Sequence, residues 1–494
     1  MRTPRPRPLV CCVLIGVMLT ASAPAAEPQP AADTDAPSAT SSGRAPDDLL
    51  KRIERLEKTL KAQADTQPKR LERENAVLRD RIGELETEMQ ALRTELAKQR
   101  ADAEGPDPEV EKLRAAIEAI QTDLRLSDGR RPVLSSLDLE IYGYVKLDAS
   151  YDTHEMNSGN FALFVLPEGQ RTNDDEFNIT ARQTRLGLRI KGPDVDGMKT
   201  SGVVEGDFYG AGGASENRST FRMRHAFLQL DWPEQRFSVL AGQTWDVISP
   251  LYPNTLNFTI NWDAGNIGHR RPQVRLTKHI YLNEAQTVDL TLQGAVSRTI
   301  DRASITQTDT GADSGQPTVQ GRAALTFPLV DGRPATVGAW GHWGREEFDI
   351  NAAGDEETLD SWSAGMDVAV PVADWLTLKA EIWTGEALDT YFGNIGQGLD
   401  AGRDALGGCG GWLAAALTPW EKWTFNIGAG VDALDDDSQA VGTRIQNRMV
   451  FGNVMYAINE KTTVGLEISH WVTDYERQGN GDALRLQSSL IYKF

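Results

Sequence analysis

Cysteine is nearly missing from this chain of 494 residues, with three in all: Cys11, Cys12 and Cys409. The first two lie in a leader. Arg2, Arg5 and Arg7 precede an apolar run from Leu9 to Leu19, and the small residues "TASAPAAEP" follow. A basic head, a short apolar middle and an Ala-x-Ala site make a secretory signal peptide over 1–25. Cleavage falls after Ala25, because a cut after Ala23 would place Pro24 just beyond the scissile bond. A lipoprotein reading fails because the apolar run comes after the cysteine pair. Processing leaves Cys409 as the one cysteine of the mature chain, which excludes a disulfide-stapled fold. Long apolar runs are missing too. The leader's run is far shorter than the ~20 residues of a spanning helix, and nothing later is apolar enough.

Catalytic patterns are equally scarce. The six histidines, His154, His225, His269, His279, His342 and His470, are scattered and show no zinc-type spacing. There is no nucleophile elbow and no phosphate-cradling loop. "DALDDDSQ" lacks the glycine and the length of a calcium loop and reads as a solvated surface loop. No enzyme activity, catalytic residue, cofactor or metal site is expected, and no nucleic-acid partner is indicated.

Aromatic residues are absent before Tyr142, and this divides the chain. Residues 26–47, rich in Ala, Pro, Ser, Thr and Asp, read as a disordered tether. Over 48–127 the pattern is helical. Leu71, Asn75, Leu78, Ile82, Leu85, Met89, Leu92 and Leu96 alternate spacings of four and three, a heptad seam with charges between. A seam this long has nothing in its own chain to cover it, so it predicts a coiled coil with copies of itself. Asn75 at an a position suits a device that fixes register.

From residue 138 to 494 the period becomes two. Segments of about ten alternating residues recur, such as "NITARQTRLGLRI", "FSVLAGQTW" and "KWTFNIGAGV", and they count to about sixteen strands. Short connections ("GPDVDG", "WPEQ", "FPLVDGRP", "PVAD", "TPWE", "NEK") alternate with long ones over 152–176, 246–269 and 386–407. An even strand count with short turns at one end and long loops at the other predicts an all-β transmembrane barrel of the outer membrane. Closure removes the sheet edges that lipid cannot solvate. Trp232, Trp375, Trp420 and Trp423 flank the short turns, where an interfacial girdle belongs. The chain ends on "LQSSLIYKF", an alternating strand with a terminal aromatic. Tyr492 and Phe494 read as the signal for the barrel-assembly machinery, and the last strand should close onto the first. Both termini, and hence the coil, then lie in the periplasm.

Acidic residues outnumber basic ones, 71 to 51, yet arginines cluster within strands: Arg182, Arg185 and Arg189; Arg222 and Arg224; Arg270, Arg271 and Arg275. A lipid-facing arginine near mid-membrane costs ~2–4 kcal/mol, so most should face the lumen. Parity supports this for Arg185 and Arg189, and for Arg275 against Val274 and Leu276. It conflicts for Arg222 and Arg224, which share phase with Leu228 and Leu230. Either a bulge near His225 resets the phase, or both sit above the membrane. The clusters could brace the wall as ion pairs, select anions, or do both. The loop from Asp246 to His269, carrying Tyr252, Phe258, Trp262 and Asp263, is aromatic and lightly charged. It calls for a packed home, and folding into the mouth would narrow the channel that sixteen strands otherwise leave open.

"IYGYVKLDASYD", "RQTRLGLRIKGP", "FRMRHAFLQLDW", "VLAGQTWDVISP" and "RRPQVRLT", behind an exported heptad region and before a terminal Phe, resemble the DcaP-like outer-membrane porin family. "AGQTWD" followed by "RRPQVR" is the most specific part. The resemblance implies a homotrimer of sixteen-stranded barrels in outer-membrane lipid, a periplasmic coiled coil, and passive diffusion of small anionic solutes such as dicarboxylates. It also implies that Arg224 and Arg275 line the pore, and that the loop from Asp246 to His269 forms its constriction. A competing reading makes the coil a grip on peptidoglycan and the barrel its anchor, a structural envelope tether.

Overall fold

A computed structural model of the protein describes residues 138–169, 175–210, 219–299, 314–349, 356–435 and 439–494. The leader, the tether and the heptad seam from Leu71 to Leu96 lie outside the described residues.

The first part of the wall comprises β1 (Asp138–Asp152), β2 (Glu176–Thr180), β3 (Arg185–Lys191), β4 (Lys199–Asp207), β5 (Arg222–Trp232), β6 (Phe237–Trp245), β7 (Arg270–Tyr281), β8 (Asp289–Ser297) and β9 (Thr318–Val330). It continues through β10 (Arg333–Asp349), β11 (Glu356–Ala373), β12 (Leu376–Glu386), β13 (Gly407–Trp420), β14 (Trp423–Leu434), β15 (Arg444–Ala457), β16 (Thr462–Tyr475) and β17 (Gly481–Lys493). Neighbours pair antiparallel throughout. β17 closes onto β1 in register from Tyr144 opposite Lys493 to Asp152 opposite Arg485. Phe494 adds a last bond, its N–H donating to the Gly143 carbonyl at 3.2 Å.

β2 and β3 both pair with β1 and are two halves of one wall strand, so the barrel has sixteen strands. The alternation in "NITARQTRLGLRI" predicts an unbroken strand there, and the structure corrects this. Residues 181–184 turn out of the sheet, with the Thr184 N–H donating to the Ala181 carbonyl and the Arg182 N–H to Thr180 Oγ1. The excursion is held by its side chains: Arg182 Nε donates to the Phe208 carbonyl, and Lys146 Nζ donates to Gln183 Oε1 at 2.6 Å.

The period of two divides each strand between water and lipid. On β7, Val274 and Leu276 are exposed on the outer face, whereas Arg271 and Gln273 are buried inward. On β17, Leu486, Leu490 and Tyr492 point out, and Arg485, Gln487 and Ser489 point in. With every wall strand paired on both sides, the backbone groups that lipid cannot hydrogen-bond are satisfied. Connections at one end are short (192–198, 233–236, 282–288, 331–332, 374–375, 421–422 and 458–461). Trp375, Trp420 and Trp423 are exposed there, as an interfacial girdle requires. The long connections leave from the other end.

The phase conflict at Arg222 and Arg224 resolves as a bulge. Glu205 faces His225, but the next residue, Gly206, faces Met223, so Arg224 is the extra residue. The bulge turns both arginines inward while Met223 and Leu228 stay on the outer face.

Candidate pore constriction

The loop from Asp246 to His269 leaves β6, crosses the barrel interior and returns to β7. Asp246 closes its base. The Asp246 N–H donates to the His269 carbonyl at 2.8 Å, and the His269 N–H donates back to Asp246 Oδ2 at 2.9 Å. Oδ1 accepts from Gln320 Nε2 at 2.7 Å and forms an ion pair with Arg271 at 2.8 Å. Both members of that pair are fully buried, and Arg271 Nη2 donates to the Thr390 carbonyl. Asp246 and Arg271 thus anchor the loop rather than meeting solutes.

Two wall carboxylates carry the loop across. Glu381 on β12 accepts from Ser249 Oγ at 2.5 Å and from the Leu251 N–H at 2.8 Å. Glu467 on β16 accepts from the Leu256 N–H at 2.6 Å. Lys146 Nζ and Gln487 Nε2 both donate to the Leu256 carbonyl. The tip then seats on glycines. A Cβ at Gly430 would lie 2.1 Å from the Ala264 carbonyl oxygen, and one at Gly265 would lie 2.2 Å from that of Gly411. Gly430 on β14 and Gly265 of the loop therefore allow the loop and wall backbones to approach closely. Asn447 Nδ2 donates to the Asp263 carbonyl at 2.7 Å, and Asp263 itself is buried. Ile260, Asn261 and Asp263 all hold positive φ, of 49°, 66° and 57°. For a β-branched residue such as Ile260 this conformation is strained, and it persists because the surroundings over-determine it.

The loop's aromatics find different homes. Trp262 is buried against Phe392, with centroids 4.4 Å apart and planes at 13°. Phe258 packs on Tyr209 at 4.3 Å. Tyr252 remains half exposed beside Trp245.

A cavity of about 190 Å³ remains between this loop and the wall, lined by Trp245, Tyr252, Trp262, His269, Arg275 and Gln293 among others. A wider one, of about 670 Å³, opens toward the short turns and is lined by Lys199, Gln229, Asp231, Arg236, Thr277 and His279 among others. Arg275 and Gln293 border both, so Arg275 stands at their junction. Its side chain donates to Gln273 Oε1 at 3.0 Å and to the Trp245 carbonyl. Among the described residues no carboxylate lies within ion-pair distance of it.

The other arginines divide by partner. Arg224 bonds Glu205 at 2.9 Å and Asp207 at 3.0 Å, Arg222 bonds Asp207 at 2.8 Å, and Arg185 sits 3.4 Å from Glu205. These brace the wall. Arg189 stands near the short-turn end, paired with Glu140 at 2.9 Å, half exposed and 3.8 Å over the Tyr142 ring. It is not at the constriction. Arg270 is buried without a carboxylate partner among the described residues. It lies over Trp245 at 4.5 Å, and its Nη2 is 3.1 Å from His269 Nε2. Burial, followed by Arg270 and the neighbouring arginines, holds the His269 imidazole well below its usual titration range. His269 is therefore neutral, and with Nε2 accepting from Arg270, its proton sits on Nδ1.

Glu381, Glu467 and Phe392 were not singled out by sequence reasoning. The two glutamates carry a signal, since each takes the inward parity of its strand: Glu381 against Ala380 and Ile382, Glu467 against Leu466 and Ile468. Asp432, within "DALDDDSQ", is not in a solvated loop. It is buried at the end of β14 and accepts from the Ile395 N–H.

A closed sixteen-stranded barrel with a long loop folded across its lumen defines the porin class of fold. The chain is similar in structure to the outer-membrane channel DcaP of Acinetobacter baumannii, with a TM-score of 0.59, 21% identity, and coverage of 73% of this chain and 98% of that one. It is also similar to an anion-selective porin from Comamonas acidovorans (TM-score 0.48, 12% identity, 72% of this chain and 100% of that one). A third likeness is to OmpF of Salmonella typhi (TM-score 0.48, 12% identity, 72% and 97%). No protein-family profile matches the chain, and no curated protein matches it by sequence.

Proposed function

We propose that the protein is a passive diffusion porin of the outer membrane that prefers small anionic solutes, dicarboxylates among them. The carrying observation is the charge at the junction of the two cavities. Arg275 borders both without an ion pair among the described residues, and Arg270 lies over Trp245, which lines the smaller cavity. Of the nearby carboxylates, Glu205, Asp207 and Asp246 are held by guanidinium groups and Glu381 and Glu467 by loop donors, while Asp231 shares the wider cavity with the cations Lys199 and Arg236. A fixed positive charge between low-dielectric walls focuses potential and favours anions. In this reading the barrels form a homotrimer whose coiled coil, residues 48–127, extends into the periplasm. The likeness of the wall to the DcaP channel fold and the heptad seam support that arrangement.

Planar-bilayer recording of the purified protein, with reversal potentials in a salt gradient, is the direct test. Cation preference overturns the selectivity claim, and absence of conductance overturns the channel. Deleting residues 47–127 separates the porin from the envelope tether, because a porin lacking them still conducts.

A further inference from the structure

The loop that links β12 to β13, residues 387–406, also turns into the barrel. Its first part makes two single 3-10 turns, Asp389–Tyr391 and Asn394–Gly396, and meets the constriction loop along its returning limb. The Asp263 N–H donates to the Phe392 carbonyl at 3.0 Å, and the Gly268 N–H donates to the Tyr391 carbonyl at 2.8 Å. Between these two bonds Phe392 lies flat on Trp262 and 5.1 Å from the His269 ring. Ile248 and Ile267 of one loop share a buried cluster with Leu388 and Tyr391 of the other, closed by Trp340 and Trp383 of the wall. Gly393 is pressed so close that a Cβ there would meet Ile267 at 3.1 Å. Phe392 holds φ 61° and Ile395 φ 53°, left-handed values that bulky residues keep only where packing enforces them.

We propose that the size limit of this pore is set by both loops together, with Phe392 the residue that holds the constriction loop in place. The constriction loop reaches the wall through Glu381 and Glu467 on its outgoing limb and through Ala264 and Gly265 at its tip, whereas Trp262, Ile267 and Gly268 of its returning limb are covered by residues 388–396. Without that support the returning limb has lost two backbone bonds and its aromatic cover. It can then move toward the space the second loop vacates, widening the cavity beside Arg275. Phe392 is a positioning residue that acts through Trp262. It contributes no charge, so it governs how large a solute passes and not which sign is preferred.

This inference rests on the channel reading, and the experiment separates the two. Single-channel conductance and the size cut-off for neutral sugars in liposome swelling are measured for the parent, for Phe392→Ala, for Phe392→Tyr, and for a variant with residues 389–396 replaced by a short Gly-Ser linker. A parent that does not conduct defeats the channel reading itself. Given a conducting parent, Phe392→Ala and the linker variant should pass sugars that the parent excludes. The linker variant should raise conductance roughly twofold, as an open sixteen-stranded lumen allows. The anion-to-cation ratio should be preserved in both, and Phe392→Tyr, which keeps the stacked ring, should restore the parental cut-off. If the linker variant fails to fold, Phe392→Ala decides alone. A folded Phe392→Ala barrel with the parental cut-off and conductance overturns the inference, as does a Phe392→Tyr variant that passes the larger sugars.

Discussion

Removing the charge of Arg275 should weaken anion preference and leave the barrel intact. A solute anion at the cavity junction passes roughly 6 Å from the guanidinium, and at a water-like dielectric this contributes ~0.7 kcal/mol of attraction. Screening with a Debye length of ~10 Å at 0.1 M salt reduces that to ~0.4 kcal/mol, and ~3 Å at 1 M reduces it to ~0.1 kcal/mol. At 1.36 kcal/mol per decade, ~0.4 kcal/mol is about a twofold change in anion partitioning, and the opposite change for cations makes about fourfold in the permeability ratio. Arg275→Ala should therefore shift the low-salt reversal potential by that ratio and leave the high-salt value nearly unchanged. Arg275 also donates to the Trp245 carbonyl at the root of the constriction loop, so a shift alone could reflect a displaced loop. Arg275→Lys separates the causes, since it keeps the charge while losing the planar fork. A folded Arg275→Ala channel whose reversal potential at 0.1 M matches the parent refutes the reasoning. So does a shift of equal size at 1 M, or one that Arg275→Lys fails to reverse.

Three further substitutions probe the loop and its base. Asp246→Asn leaves the buried Arg271 without its counter-charge, a loss of ~3–5 kcal/mol for a broken buried pair. Proteases should then cut within 246–269 while the barrel keeps its heat-modifiable mobility on gels, and unchanged cleavage would count against the anchoring role. Gly430→Val places side-chain atoms where the Ala264 carbonyl now lies, which forces the loop tip off the wall and into the lumen. Conductance should fall, and a parental or larger value would show that the tip does not rest there. His269→Gln should leave the pH profile of selectivity between pH 8 and 6 unchanged, because burial and the adjacent arginines keep His269 neutral there. Were His269 to titrate near 6.5, acidification would add positive charge and raise anion preference in the parent, and the variant would lack that rise.

The wall was legible in the sequence because a two-residue period leaves its mark on every strand, and lipid enforces it. The loop bounded by Glu386 and Gly407 was located to the residue, since the strand pattern stops and resumes there. The clash of phase at Arg222 and Arg224 was itself a signal, and the bulge at Arg224 is its cause. The excursion at 181–184 left no such mark. Its residues continue the alternation, and only their partners, Phe208 and Lys146, draw them inward. Phe392 was equally hidden, because its role depends on where the returning limb of a different loop lies. Gly430 sits in the alternating segment "KWTFNIGAGV", but its meaning as a seat for Ala264 required knowing what it receives.

The excess of acidic residues, 71 against 51, does not oppose an anion path, because where a carboxylate points and what it bonds decide its effect on a passing ion. In the lumen wall the carboxylates serve as fasteners. Asp152 holds Arg485 at 2.8 Å, Asp367 holds Arg322 at 2.7 Å, and Asp246 holds Arg271. Glu381 and Glu467 hold the constriction loop by its own N–H groups. A carboxylate sealed beneath a loop, with donors on its oxygens, contributes little field to the far side of that loop. The loop thus does two things by one placement: it narrows the lumen, and it covers the Glu381 and Glu467 side of the wall. The remaining space lies against Arg275 and Gln293. On the proposed anion-preferring reading, selectivity follows from which wall the loop covers. A substitution that lifts the loop off Glu381 and Glu467 should erode anion preference as well as change conductance, whereas one that only trims its supported limb should change size exclusion alone.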